Sequence, residues 1–234
     1  MKAVLLAAGK GTRISRNIKD VPKSTLPING IPLIKRNVIM LLDKGIDVVV
    51  CVGYHKEKIY EALDGLPVKY YYNPFFNVTN SIASLWFAKD ELNDDILIMN
   101  ADVYFESNIL DSIIDDTREC VLMVDKLKIE QGDYFFKLEN GYITKYGKDL
   151  PIEERSCEYV GIGKVKYSFI EKFNNKMNLL IESEKYNLWW ENILYSIAEE
   201  ESVSILDVNG EFWAEIDYFD DYERIIEHVN KGEK

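Results

Sequence analysis

The chain has 234 residues, of which 47% are hydrophobic, a formal net charge of −12 and three cysteines. That length buries a full core as one α/β domain, and no apolar run is long enough to cross a bilayer. So acidic a chain is a poor partner for nucleic acid, whose phosphates are held by basic patches. Cys51, Cys120 and Cys157 are odd in number and widely spaced, and are expected as reduced core thiols. Met1 leads directly into the first strand, so no leader is expected and the protein is placed in the cytoplasm.

Met1 to Leu6 reads as a buried parallel strand running into Ala7, Ala8, Gly9, Lys10, Gly11, Thr12 and Arg13, with Pro22-Lys23 following. Gly9 and Gly11 let backbone N–H groups approach a polyphosphate closely, although glycine also serves many turns for steric reasons alone. Lys10, Arg13 and Lys23 put three cations near the same loop, suited to charge that builds on a phosphate oxygen. Ile14 stands where a dinucleotide-binding fingerprint needs its third glycine, and no stretch supplies a P-loop. Neither a Rossmann cofactor site nor a P-loop ATPase is expected.

Periodicity then predicts a helix over 32–44 closed by Gly45, a strand over 47–52, a short helix to about Leu63 and a strand over 68–72. Strand and helix alternate, which implies a parallel sheet with right-handed crossovers. His55 has no second histidine near it and is read as a loop or surface residue. Asn73 to Leu85 is a polar turn entering a helix that runs to about Leu92. Lying beyond a strand's carboxyl end, Asn80, Ser81 and Ser84 can hydrogen-bond a base or ribose, or Asn80 or Ser81 can simply cap the helix.

A strand over 95–100 ends in Ala101-Asp102, where a carboxylate is placed to hold Mg²⁺ through oxygen ligands shared with a substrate; the plain alternative is a loop aspartate. After a strand over 120–125, residues 134–138 and 142–146 form a hairpin around Asn140-Gly141. Residues 158–162 return toward the core. Trp189 and Trp190, beside Glu191, can box a cationic amine, or pack inward through their spacing to Ile193 and Leu194. A strand over 202–208 precedes Glu215-Ile216-Asp217 and a final helix over 218–230, which Asp217 could cap.

The string Leu6 to Arg13, followed by Pro22-Lys23, resembles the signature of nucleotidyltransferases that join a nucleoside triphosphate to a phosphorylated small molecule. It is nearest to small-molecule cytidylyltransferases acting on phosphocholine, 2-aminoethylphosphonate or phosphoramidate-type capsule precursors. The resemblance implies a single-domain, Rossmann-like α/β fold with a mixed, mostly parallel sheet, flanking helices and a β-hairpin acceptor lid. Residues 1–125 would be the nucleotide-binding core, 126–217 the lid and return strands, and 218–234 the C-terminal helix. It further implies CMP transfer from CTP with release of pyrophosphate, Mg²⁺ as cofactor, and a role in decorating cell-surface polysaccharide.

Residue by residue, the resemblance makes Arg13, Lys23, Asp102 and Asp217 catalytic, with Asp102 and Asp217 on the metal. Leu6 to Arg13, Ala101, Asn80, Ser81 and Ser84 would hold the nucleotide, and Glu158 and Tyr159 would border the acceptor; Trp189 and Trp190, for their aromatic rings, with Trp213 and Glu215, are further acceptor candidates. Lys126, Lys128, Lys164 and Lys166 offer an alternative site for an acceptor carboxylate. A sugar-1-phosphate nucleotidyltransferase is the runner-up, although Ile14-Ser15 stands where Pro-Leu commonly follows the arginine. A catalytically silent nucleotide-binding module is the third reading, opposed by the intact Arg13, Lys23, Asp102 and Asp217.

Overall fold

A computed structural model describes residues 1–11, 21–130, 132–198 and 202–232. The first half runs β1 (Lys2–Ala7), β2 (Pro27–Ile28), β3 (Ile31–Pro32), α1 (Leu33–Asp43), β4 (Asp47–Val52), α2 (Lys56–Ala62), β5 (Val68–Tyr72) and α3 (Ser81–Phe87). Next come β6 (Ile96–Asn100), β7 (Val103–Phe105), α4 (Ser107–Asp115), β8 (Cys120–Asp125), β9 (Phe135–Glu139) and β10 (Tyr142–Gly147). The chain ends with β11 (Cys157–Val165), α5 (Tyr167–Glu182), α6 (Asn192–Ala198), β12 (Ser204–Asp207), β13 (Trp213–Glu215) and α7 (Phe219–Gly232).

Nine strands form one mixed sheet in the order β5-β4-β1-β6-β11-β8-β12-β10-β9. β5, β4, β1 and β6 are parallel, while β11 runs antiparallel between β6 and β8. The predicted hairpin, β9 with β10, extends the sheet from β12. The sheet then curls until β9 meets the start of β11, with Phe135 opposite Glu158 and Phe136 opposite Cys157.

The central strands are continuous apolar runs because both faces are covered. Along β1, Ala3 and Leu5 belong to the cluster under α1, α2 and α4, and Val4 to the opposite cluster with α3, α5 and α6. A smaller cluster holds the β7–β13 pair, β2 and α7 together through Leu26, Ile28, Tyr104, Ala214, Ile216 and Ile225. Among the described residues no helix is long and apolar enough to cross a membrane. All three cysteines are buried and unpaired, and burial pushes each thiol up to about 12, as reduced core thiols require.

Two elements depart from the sequence expectation. The helix expected to reach Leu92 stops at Phe87, and a 3₁₀ turn over Lys89–Glu91 follows. That break aims Glu91 inward to accept hydrogen bonds from Lys2 (2.8 Å), Tyr71 (2.8 Å) and Lys69 (3.0 Å). The longest helix, α5, was not anticipated; its buried stripe is Ile170, Phe173, Met177 and Leu180, an i, i+3, i+7 spacing diluted by lysines and asparagines.

Candidate active site

β1 and β6 lie side by side in parallel register, Leu6 opposite Asn100, so their carboxyl ends release the glycine loop and Ala101-Asp102 together. The Ala101 N–H donates to the Leu6 carbonyl at 3.2 Å, and the Asp102 carbonyl accepts from the Ile216 N–H at 3.0 Å. Antiparallel pairing of β13 with β7, Glu215 opposite Val103, delivers Glu215 and Asp217 to the same point. Asp102 thus meets Glu215 and Asp217, more than a hundred residues further along the chain, at one place.

Lys23 answers them. It opens a short 3₁₀ turn after Pro22, and its Nζ donates to Asp217 Oδ1 at 2.6 Å and lies 3.7 Å from Asp102 Oδ2. Its aliphatic stem passes over Gly11, whose φ is 58°; a Cβ there would sit 2.7 Å from Lys23 Cγ. Only glycine meets both demands. Burial works against the Lys23 charge, but Asp102, Asp217 and Glu215 outweigh it and raise its pKa. Glu215 is driven well above the usual carboxylate range, first by burial and then by Asp102 and Asp217.

Asp102 and Asp217 already converge on one cation, and their hard oxygen donors fit Mg²⁺ held by one or two carboxylates with substrate phosphates completing the shell. Among the described residues no group of three or more His, Cys, Asp and Glu side chains makes an all-protein cage.

Four clefts radiate from this point, and Glu215 borders each. The first, about 260 Å³, is lined by Leu6, Ala7, Gly9, Gly11, Lys23, Ala101, Asp102 and Asp217. The second is lined by Ala8, Asn73, Phe76, Asn80, Ser81 and Ser84. There Asn80 caps α3 through its side-chain oxygen (2.8 Å from the Ser81 N–H), Ser81 Oγ accepts from the Trp190 N–H (2.8 Å), and Ser84 Oγ accepts from Asn73 (3.0 Å). Capping and facing the cleft therefore coexist at Asn80.

The third cleft gathers Tyr134, Lys148, Tyr159, Trp189, Glu191 and Tyr195. The fourth gathers Lys128, Glu158, Trp213, Tyr218 and Arg224. Burial pushes Glu158 and Glu191 each up to about 7. The residues expected at the acceptor are thus divided between two clefts: Tyr159 and Trp189 face one, Glu158 and Trp213 the other.

Trp190 is corrected from an acceptor residue to a core residue: it is fully buried and packs on Gly163, where an added Cβ would meet its ring at 2.7 Å. Trp189 is 41% exposed and lies at the junction of three clefts. Thr12 and Arg13 lie outside the described residues, and Lys10 is exposed on the loop. Of the four lysines considered for a carboxylate, Lys164 donates to the Ile114 and Asp116 carbonyls and Lys166 to that of Thr117, while Lys126 faces Asp207. Lys128 does line a cleft. Sequence reasoning missed Asn73, Asn100, Tyr134 and Lys148; for Asn100 the signal was a polar residue closing an apolar strand.

A profile of the MobA-like NTP transferase domain matches residues 3–131, more than half of the chain and including the glycine loop and Asp102. The chain belongs to this nucleotidyltransferase family. It is 28% identical to the choline-phosphate cytidylyltransferase of Streptococcus pneumoniae over 100% of both chains. It is 25% identical to the CTP:phosphoglutamine cytidylyltransferase of Campylobacter jejuni, over 97% of this chain and 100% of that one. The fold superposes on the CTP:phosphocholine cytidylyltransferase of Streptococcus pneumoniae with a TM-score of 0.79 at 23% identity, covering 97% of this chain and 98% of the other. The inositol-1-phosphate CTP transferase of T. maritima gives 0.76 at 20% identity, covering 99% and 96%.

Proposed function

We propose that the protein is a Mg²⁺-dependent cytidylyltransferase that moves CMP from CTP to a small phosphorylated or phosphonylated amine or alcohol, releasing pyrophosphate. The observation that carries this reading is the Lys23 ammonium held between Asp217 and Asp102 at the carboxyl ends of β1 and β6. An acceptor oxygen would bond to the α-phosphorus of CTP as the bond to the bridging oxygen of pyrophosphate breaks. That oxygen is already ionised near neutral pH, so no protein base is required, and positioning with charge neutralisation carries the step.

In this reading Lys23 spans the acceptor phosphate and the α-phosphate, Arg13 holds the β- and γ-phosphates, and the glycine-loop N–H groups cradle the triphosphate. Asp102 and Asp217 would hold Mg²⁺, which when bound neutralises phosphate charge and fixes the triphosphate's geometry. The Asn73, Asn80 and Ser84 cleft takes the cytosine, and the clefts beyond Glu215 take the acceptor. The names of the full-length relatives support CTP and a phosphorylated small molecule, and the CMP-activated product would serve to decorate a cell-surface polysaccharide.

The test is pyrophosphate release with Mg²⁺, pairing each common nucleoside triphosphate with phosphocholine, phosphoethanolamine, aminoethylphosphonate and several sugar 1-phosphates. Release with CTP and an amine-bearing acceptor is expected. Release only with a sugar 1-phosphate would replace the acceptor assignment, and no release with any pair would reject the reading.

A further inference from the structure

The hydrogen-bond polarity of the second cleft is set from behind its wall. Asn73 follows directly on β5 and is 1% exposed, with its backbone N–H donating to the Val52 carbonyl at 2.9 Å. Its side-chain oxygen accepts from the Phe75 N–H at 2.9 Å. A backbone N–H only donates, so this contact fixes which end of the Asn73 amide is oxygen. The amide nitrogen therefore faces the hydroxyls of Thr79 and Ser84, each at 3.0 Å.

Both hydroxyl oxygens accept from that nitrogen, so each has to send its own hydrogen elsewhere. Thr79 donates to the Phe75 carbonyl at 2.9 Å. Ser84 has no such outlet among the described residues: the one contact of its hydroxyl is the one it accepts. Its side chain is 3% exposed and lines the cleft. The Phe75 N–H thus acts through Asn73 to leave a buried O–H whose acceptor has to come from whatever fills the cleft.

Cytosine and uracil are opposite at one ring position. N3 is a bare acceptor in cytosine and carries a hydrogen in uracil. A freely turning hydroxyl would serve either base, because it can donate or accept. Ser84 is held to one sense: accepting from uracil N3–H would strand its own hydrogen in a buried place. Resting on the cytidylyl-transfer reading, we propose that Asn73 is a positioning residue for nucleotide choice, locking the Ser84 hydroxyl as a donor to cytosine N3 and so selecting CTP over UTP.

Calorimetric titration of CTP, UTP and 3-deazacytidine triphosphate, in which a C–H replaces N3, into the full chain with Mg²⁺ and no acceptor reads this polarity. The natural chain should bind CTP about tenfold or more tightly than either of the others. Asn73→Asp keeps the shape but offers a carboxylate that takes the Ser84 hydrogen, so the CTP-to-UTP ratio should fall to about one or below. Should the buried carboxylate unfold that variant, Ser84→Ala carries the test and should bring the three nucleotides to about equal affinity. A merely structural role for Asn73 would weaken all three alike and leave the ratio in place. No CTP preference in the natural chain, an unchanged preference in Ser84→Ala, or a folded Asn73→Asp chain that keeps the ratio would overturn the proposal. Pyrophosphate release separates the two readings. Release from CTP with a ratio that the variants do not move keeps the transferase and rejects the Asn73 role; a ratio that moves as expected without release keeps that role and rejects transfer.

Discussion

Replacing Lys23 with alanine tests the site most directly. The variant loses a cation 2.6 Å from one carboxylate and 3.7 Å from another, on a side chain only 9% exposed. A single preorganised donor to developing charge is worth about 3–4 kcal/mol, so turnover should fall by about 10²–10³. The fold should lose less. Asp102 and Asp217 keep some solvent access, and leaving them without Lys23 costs about 1–3 kcal/mol, a drop of about 2–10 °C in Tm for a chain of this length. Added Mg²⁺ should recover part of that drop, because it supplies positive charge at the same two carboxylates, but should not restore turnover. Thermal unfolding with and without Mg²⁺, beside pyrophosphate release, measures both. Turnover within tenfold of the natural chain, or a loss that only follows the unfolded fraction, would refute the argument.

Other outcomes follow from particular side chains. Glu191 ionises only at about 7 because it is buried, against about 4.5 when unfolded, so the native state binds more protons between those values and stability falls as pH rises through that window. Glu191→Gln should remove about 2–4 kcal/mol of that fall in urea titrations at stepped pH; Glu158, shifted the same way, keeps the remainder. Glu91 is lowered to about 2 by hydrogen bonding to Lys2, Tyr71 and Lys69, despite burial, so its contribution is full above about 4.5 and lost as pH falls toward 2. Glu91→Gln should therefore cost about 1–2 kcal/mol at neutral pH, after allowance for solvent screening, and nothing near pH 2. Trp190→Ala should destabilise by about 3–5 kcal/mol in denaturant unfolding, whereas Trp189→Ala should hold its Tm and raise the acceptor KM.

The glycine-loop end of the candidate site was legible because its residues are close in sequence. Gly9, Gly11 and Lys23 sit within one short stretch, and an apolar run closed by Ala101-Asp102 shows its strand end in the sequence. Asp217 was read as a site residue through family resemblance, with Glu215 beside it as an acceptor candidate; the physical device that delivers both, the short β7–β13 ladder, leaves almost no periodic signal. The tryptophan pair shows where one-dimensional reading stops. Both residues have an i+4 apolar neighbour, yet the turn before α6 sends Trp190 into the core and Trp189 to the clefts. Lys148 and Tyr134 escaped notice because the hairpin, and not proximity in sequence, brings them to Trp189.

The return of β9 to β11 has an evolutionary consequence. Tyr134 and Lys148 flank the hairpin strands, while β11 carries Glu158 and Tyr159, and the pairing of Phe135 with Glu158 and Phe136 with Cys157 fastens these walls to each other. None of those residues belongs to β1, β6 or the glycine loop. Insertions or exchanges in the hairpin can therefore reshape what the clefts admit while Lys23, Asp102 and Asp217 stay where they are. Under the proposed function, a lineage would change its acceptor by editing one β-ribbon while the glycine loop and its carboxylates stay in place.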